Sequence, residues 1–224
     1  METYNFSHVR GSLPQMIRND DNLYEGNLIL YFRSVFKYAR NLRCPYHNFR
    51  HMFHVLWLCY QACFFYHDKM TRREMRNLLI AAMFHDFDHS GLVGDDDLNI
   101  LKAVRGLERH ILEEDKAHLP DIELLIETTE YPYKTSPVPV GLSAQIIRDA
   151  DLSQALSVAW VQQVIFGLAT EWGVKPIEVL KMQGPFMSGL EFNTEWGKLM
   201  FPKSDIARKV DETKEFLELL GEEA

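Results

Sequence analysis

The chain predicts an all-α fold, and three observations carry that expectation. Strand-like alternation of apolar and polar residues is nearly absent. Apolar residues recur instead at helical spacing along most of the sequence. The breaks between these stretches carry helix-stop and helix-start chemistry: Cys44-Pro45, the capping-box pattern Thr71-Arg-Arg-Glu74, Gly91, Gly173 and Pro176. No internal repeat stands out. The expected architecture is one compact domain over 1–224 with about eight helices, its motif-bearing core near 23–172 and further helices in 173–224.

In chain order, residues 1–22 read as polar and irregular, with Gly11, Pro14 and the Asn19-Asp20-Asp21-Asn22 cluster. From Leu23 to about Leu42 the helical spacing of Leu28, Tyr31, Phe32, Val35, Phe36 and Ala39 predicts a helix. A second, strongly apolar helix runs from Tyr46 to Tyr66. Thr71 opens a third, which delivers Met75–Phe84 and ends at His85. Gly94 and Asp95-Asp96-Asp97 read as a solvated loop leading into a helix near Leu98–Leu112, with attraction of a cation by the acidic run as the alternative. Pro120-Asp121 begins a short helix stopped by Tyr131-Pro132, and Lys134–Gly141 reads as a linker. A helix from Leu142 meets, at Asp149-Ala-Asp151, a long apolar helix that reaches Trp172 and is capped by Gly173. Pro176 suits the first turn of the next. Residues 183–205 look mixed and partly irregular, and Ile206–Leu220 forms a charged amphipathic helix.

Composition narrows the function. The 224 residues are 46% apolar, enough for one sizeable core or two small ones. A net charge of −8 argues against a nucleic-acid partner. No run approaches the roughly 18–20 apolar residues that cross a bilayer, so no membrane partner is expected. The N-terminus lacks the pattern of a secretory signal. Cys44, Cys59 and Cys63 have no CxxC spacing and read as free thiols, which fits a cytoplasmic location. There is no Gly-rich phosphate loop and no GxSxG elbow.

The chemistry concentrates in Ala81-Ala-Met-Phe-His-Asp-Phe-Asp-His-Ser-Gly91. There an apolar helix ends in His85, Asp86, Asp88 and His89. Packing four ionisable groups onto such an end invites desolvation unless a cation or a hydrogen-bond network compensates. Upstream, His47, His51 and His54 are spaced to share one helix face. Asp151, followed by Leu152-Ser153, would by itself read as an N-cap. Together His51, His85, Asp86 and Asp151 offer two imidazoles and two carboxylates, a set that suits Zn²⁺, Mn²⁺ or Fe²⁺. Asp86 has a second oxygen for a second cation held mainly by water, as Mg²⁺ or Mn²⁺ prefers. Water bridging two such ions is acidified to a hydroxide nucleophile.

The set Tyr46-His47-Asn48-x-x-His51, His85-Asp86-x-Asp88-His89-x-Gly91 and Asp151-Leu152-Ser153 resembles the HD superfamily of metal-dependent phosphohydrolases. Within it, the set is most similar to the catalytic domain of class I cyclic-nucleotide phosphodiesterases, over roughly residues 45–153. The resemblance implies an all-α fold with a binuclear metal site under a nucleotide pocket. It implies hydrolysis of a cyclic nucleotide to the 5′-monophosphate by the metal-bridging hydroxide. His51, His85, Asp86 and Asp151 would hold the tighter metal, Zn²⁺ or Mn²⁺/Fe²⁺, and Asp86 would also reach the second, Mg²⁺ or Mn²⁺. His47 would be the general acid, His89 a partner of the bridging water, and Asp88 a supporting hydrogen-bond acceptor.

The sequence also departs from the family. His54, a candidate for a place behind the metal ligands or at the second metal, stands where the family has Asp, which implies different metal tuning, and Ser90 stands where it has Pro. Glu108, in Gly106-Leu-Glu-Arg-His110, is a candidate for the family's acidic residue in the following helix, with His110 an alternative ligand for the second metal. Gln183 is a candidate reader of the base edge, with Phe186 or Phe192 as a stacking wall. The alternative is a loop glutamine between helices. Tyr46 and Asn48 are further substrate-contact candidates, Arg50 a phosphate contact or a solvated cation, and Tyr131-Pro-Tyr133 a pocket mouth or a packed turn. The expected partner is a small-molecule nucleotide, with no oligomeric state implied. Two alternatives stand beside the diesterase: a nucleotide phosphomonoesterase or alarmone hydrolase, and a metal- and nucleotide-binding sensor without turnover.

Overall fold

Capping chemistry decides where this chain turns helical. The computed structural model describes residues 11–94, 96–132 and 138–222. Asp95, Tyr133 and the first part of the expected linker, residues 134–137, therefore lie outside the described residues, as do residues 1–10 and 223–224. Ser12 and Gln15 form a capping box around Pro14, and this starts α1 (Leu13–Arg18) inside the stretch expected to be irregular. Asn19 ends α1 at φ 60°. Its side chain then accepts from Leu23 N–H and donates to the carbonyls of Tyr24 and Gly26. Those bonds fix an irregular turn, so the helix expected over 23–42 shrinks to α2 (Ile29–Tyr38).

α3 (Phe49–Phe65) begins only after Asn48, whose Oδ1 accepts from the backbone N–H of Arg50 at 2.7 Å. His47 therefore precedes the helix, which corrects its expected place on one face with His51 and His54. α4 (Arg72–Phe84) opens with the predicted Thr71–Glu74 capping box. α5 (Asp96–His110) and α6 (Leu119–Glu127) follow, joined through a 3-10 turn over Glu113–His118.

α7 (Leu142–Leu152) carries Asp149 and Asp151 in its last turns, so Asp151 is not an N-cap. The single long helix expected from there to Trp172 is broken. A 3-10 turn, Ser153–Leu156, ends at an extended Ser157, and a π-helical stretch, Val161–Phe166, leads into α8 (Gly167–Trp172). Leu142–Leu156 and Val161–Trp172 meet at 95°. Gly173 caps α8 at φ 67°, and Pro176 starts α9 (Pro176–Ser188). α10 (Glu195–Met200) and α11 (Lys203–Leu219) complete the described chain, so 183–205 is more helical than expected. The count is eleven α-helices and no strand among the described residues, an all-α fold with a few more helices than eight.

Two apolar clusters form the interior. The larger packs α3, α4 and α7 together through Val55, Cys59, Leu78, Ala82 and Ile147, and it holds Cys59 and Cys63 as buried free thiols. The smaller joins the bent segment to α9 and α11 through Trp160, Leu168, Val179, Met187 and Leu217. Gly167 allows α8 to approach the turn before α3, because a Cβ there would sit 3.1 Å from the Pro45 carbonyl oxygen. A buried ion network, Arg76 to Asp115 at 2.7 and 2.8 Å with the Tyr31 hydroxyl on Asp115, braces α4 from behind. No single described helix is long and apolar enough to cross a membrane.

Candidate active site

The predicted ligands converge where α3, α4 and α7 meet, and hydrogen bonds on the far side of each imidazole decide what faces inward. His51 Nδ1–H donates to Gln154 Oε1 at 2.5 Å, and His85 Nδ1–H donates to the Ala82 carbonyl at 3.0 Å. Both bonds select the tautomer whose Nε2 lone pair is free. The two Nε2 atoms lie 3.4 Å apart. Asp151 Oδ1 is 3.0 Å from that of His51 and 3.7 Å from that of His85, and Asp86 Oδ2 is 3.4 and 3.5 Å from them.

Asp86 Oδ2 is buried and has no hydrogen-bond partner. A stranded carboxylate oxygen beside two imidazole lone pairs asks for positive charge. Burial alone would raise the Asp86 pKa, but the imidazoles of His85, His47, His51 and His89 outweigh it and hold the carboxyl well below the usual range. Burial likewise disfavours protonated His51, yet the hydrogen bond to Asp151 and the charges of Asp86 and Asp151 prevail and push it up to about 9. Without metal, a proton on His51 thus supplies part of the missing charge. The donor set fits a divalent ion of the Zn²⁺, Mn²⁺ or Fe²⁺ kind.

A layer behind the ligands holds them. Burial depresses His54 to about 4, so its neutral ring bonds Ser153 Oγ at 3.1 Å while Ser153 donates to the Ala150 carbonyl at 2.6 Å. Asp149 and Asp151 part company on α7. Asp149 accepts four hydrogen bonds from Asn193 and Thr194 and secures the start of α10, leaving Asp151 to the site.

His47 sits across the cavity in different company. Its Nδ1 is hydrogen-bonded to Glu171 Oε1, and the backbone N–H groups of Tyr46 and His47 donate to Glu171 Oε2 at 2.8 and 3.1 Å. The Glu171 side chain is 3% exposed. Burial would raise its pKa, but the bond to His47 and the backbone donors hold it low, so it is ionised. Gly91 makes room for it: at φ +73°, a Cβ there would lie 2.8 Å from Glu171 Cγ. The His47 ring stacks on His89 at 3.7 Å. His89 accepts the Gly91 N–H on Nδ1 at 3.0 Å, its Nε2 lies 3.0 Å from the Asn99 side-chain nitrogen, and burial holds it down to about 4.

The remaining candidates separate. Asp88, at φ 63°, accepts the Arg40 backbone N–H at 2.8 Å and meets Arg109 at 3.5 Å, so it supports the loop rather than the cavity. Asn48 spends its amide on the carbonyls of Cys44 and Pro45 and its oxygen on the α3 N-terminus. It is a cap, not a substrate contact. Glu108 is exposed on the outer face of α5, and His110 stacks on Tyr38 at 4.9 Å; neither lines the cavity. Arg50 is exposed and also lies outside the lining.

The cavity has a volume of about 380 Å³ and lies between the two apolar clusters, within the range typical of small-molecule sites. Its floor is the histidine–aspartate cluster, and Tyr46 tilts over His51 at 5.0 Å. Leu168, Trp172, Met182 and Phe186 form an apolar wall. Gln183 lies in α9 rather than in a loop, and its buried Oε1 has no hydrogen-bond partner. Phe186 meets Tyr131 edge-on at 6.1 Å, whereas Phe192 stacks on Phe201 in the smaller core. None of the described lining side chains is Lys or Arg. Sequence reasoning missed Glu171, Gln154, Asn99 and Thr129 as parts of this assembly and preferred a solvated loop for Asp96, which lines the cavity.

A family model described as 3′5′-cyclic nucleotide phosphodiesterase matches residues 46–99. The match takes in His47, His51, His85, Asp86 and His89 and ends before Asp151, Glu171 and Gln183. A comparison with curated proteins finds no significant match. Over residues 46–99 the chain is thus similar to the 3′5′-cyclic nucleotide phosphodiesterase family, and the described fold around that segment is helical.

Proposed function

We propose that the chain hydrolyses a 3′,5′-cyclic nucleotide to the 5′-monophosphate as a single domain in the cytoplasm. The observation that carries this reading is the presence, in one cavity, of a cation site with a stranded carboxylate oxygen and an imidazole held from behind by a buried carboxylate. Divalent ions held by His51, His85, Asp86 and Asp151 would supply charge neutralisation and an acidified water. His47, oriented by Glu171, presents Nε2 to the cavity, and from there its proton passes to the departing 3′-oxygen. Gln183 Oε1 accepts a hydrogen bond from the base, and Phe186 packs against the base's face.

Charge favours the diester over the phosphomonoester and alarmone readings. A cyclic diester carries one negative charge, whereas monoesters and pyrophosphates carry two or more. A cavity lined by Asp86, Asp96 and Asp151 without Lys or Arg has no counter-charge for them beyond the metals. A screen of 3′,5′-cyclic nucleotides against mononucleotides and guanosine tetraphosphate decides the matter. The expected result is turnover of a cyclic nucleotide that EDTA abolishes and Zn²⁺, Mn²⁺ or Mg²⁺ restores. Turnover of the mononucleotides alone would overturn the reading, and so would tight binding of an unhydrolysed cyclic nucleotide with metals present.

A further inference from the structure

The cavity makes no use of a group of exposed cations that lies beside it in the chain. Arg33, Lys37, Arg40, Arg43 and Arg50 fall within residues 26–67, a stretch with no Asp or Glu in a chain of formal net charge −8. None of these side chains forms an ion pair or a hydrogen bond among the described residues. Arginines elsewhere do: Arg18 meets Asp20, Arg73 meets Glu25, Arg76 meets Asp115 and Arg109 meets Asp88. Unpaired positive charge gathered on one part of an acidic protein suits an anionic surface.

Apolar side chains stand among these cations. On α2, Leu30 is 50% exposed and Phe36 54%, and helical spacing puts both on one side with Arg33 and Lys37. Tyr31 and Val35 take the buried side. Phe36 meets Phe49 edge-on at 4.7 Å, which joins this side of α2 to the start of α3 and to Arg50. The hollow between the two helices measures about 10 Å³, room for about one water. It seats neither a nucleobase nor an anchoring side chain of a protein partner. The exposed rings are also engaged, Phe36 against Phe32 at 4.9 Å and Tyr38 on His110 at 4.9 Å, so they form no open platform for stacked bases. A fluid surface needs no such pocket: basic side chains hold anionic headgroups while apolar ones between them enter the layer. We propose that this α2–α3 face docks on an anionic phospholipid bilayer, with Leu30 and Phe36 in the headgroup layer and Arg33, Lys37 and Arg50 on the lipid phosphates. Lying on a bilayer needs no spanning run, so the lack of one in the sequence does not bear on it. Nothing in this docking depends on the reaction proposed above.

The test is sedimentation of the full chain with vesicles of phosphatidylcholine alone and of an equal mixture with phosphatidylserine, at low and high salt. A parallel arm offers single-stranded RNA. The wild type should bind the mixed vesicles alone and release them at high salt, as screening shortens the field. Arg33→Gln combined with Lys37→Gln should weaken that binding by about 30-fold, each cation near such a surface being worth about fivefold. Leu30→Ser should weaken it several-fold with the salt dependence unchanged. Arg208→Gln, on α11, should bind as the wild type does, which separates this face from net charge. Equal binding to phosphatidylcholine vesicles, binding to neither kind, or a double variant that binds like the wild type overturns the proposal. Tighter binding of RNA than of the mixed vesicles also overturns it and assigns the face to nucleic acid.

Discussion

Two trios of similar composition flank Asp86: His51, His85 and Asp151 on one side, and His47, His89 and Glu171 on the other. Each has two imidazoles and one carboxylate with ligand atoms within 4.8 Å of one another. They differ in wiring. In the first, neutral oxygens of Gln154 and Ala82 take the Nδ1 protons, and the carboxylate faces the free Nε2 atoms. In the second, the carboxylate itself takes Nδ1 of His47 and is already satisfied by two backbone N–H groups. The first trio leaves lone pairs and negative charge converging on one point, which a cation fills. The second leaves one ring nitrogen facing the cavity, which suits a proton donor. Hydrogen bonds on the far side of each ring, not residue type, divide ligand from acid.

Substitutions on either side should break the comparison differently. Asp86→Ala, at the junction, should reduce turnover to background and abolish bound metal, as read by elemental analysis. A normal metal complement would refute the assignment of the ligands. His47→Ala should keep the metal and lose about 10²–10⁴-fold in kcat, the usual range for a general acid. Wild-type speed would remove His47 from the chemistry. Glu171→Gln should cost less, about 10–100-fold in kcat with metal content unchanged, because an orienting partner is weakened rather than deleted. Metal loss in this variant would place Glu171 among the ligands.

The first trio also predicts a pH dependence of defined sign. His51 stands at about 9 in the folded protein against its ordinary 6.5. Metal-free protein therefore carries a stabilising contribution that is complete below about pH 6.5 and is lost as pH rises through about 9. A metal must displace that proton, so affinity at the tight site runs the other way and rises about tenfold per pH unit up to about 9. Calorimetry in buffers of different ionisation enthalpy measures the released proton; none released at pH 7 would contradict the His51 assignment. The smallest effect belongs behind the ligands. Ser153→Ala removes the acceptor for His54 and should cost about 1 kcal/mol of stability by thermal or urea unfolding. A variant as stable as wild type would show that the His54 bond contributes nothing.

In the first trio His51 and His85 were legible because they stand at helix ends, His51 three residues past a cap and His85 where an apolar helix stops, whereas Asp151 by itself read as an N-cap and gained meaning only beside them. The second was half legible. His47 was found, but Glu171 lies 124 residues away in a helix that reads as apolar core, and no local pattern ties it to a histidine. Gly91 is the one trace of it: a glycine whose absent side chain clears the path to His47. Glu108 was misplaced because α5 turns Asp96 and Asn99 inward and Glu108 out. The breaks after Asn19 and at Ser157 come from side-chain and backbone bonds that hydrophobic periodicity does not encode. The all-α class did not depend on them.

The most direct test is a crystal of the protein soaked with Mn²⁺ and measured at a wavelength where manganese scatters anomalously. The strongest peak is expected within about 2.0–2.3 Å of His51 Nε2, His85 Nε2, Asp86 and Asp151, with His47 still bonded to Glu171. A strongest peak among His47, His89 and Glu171 would contradict it.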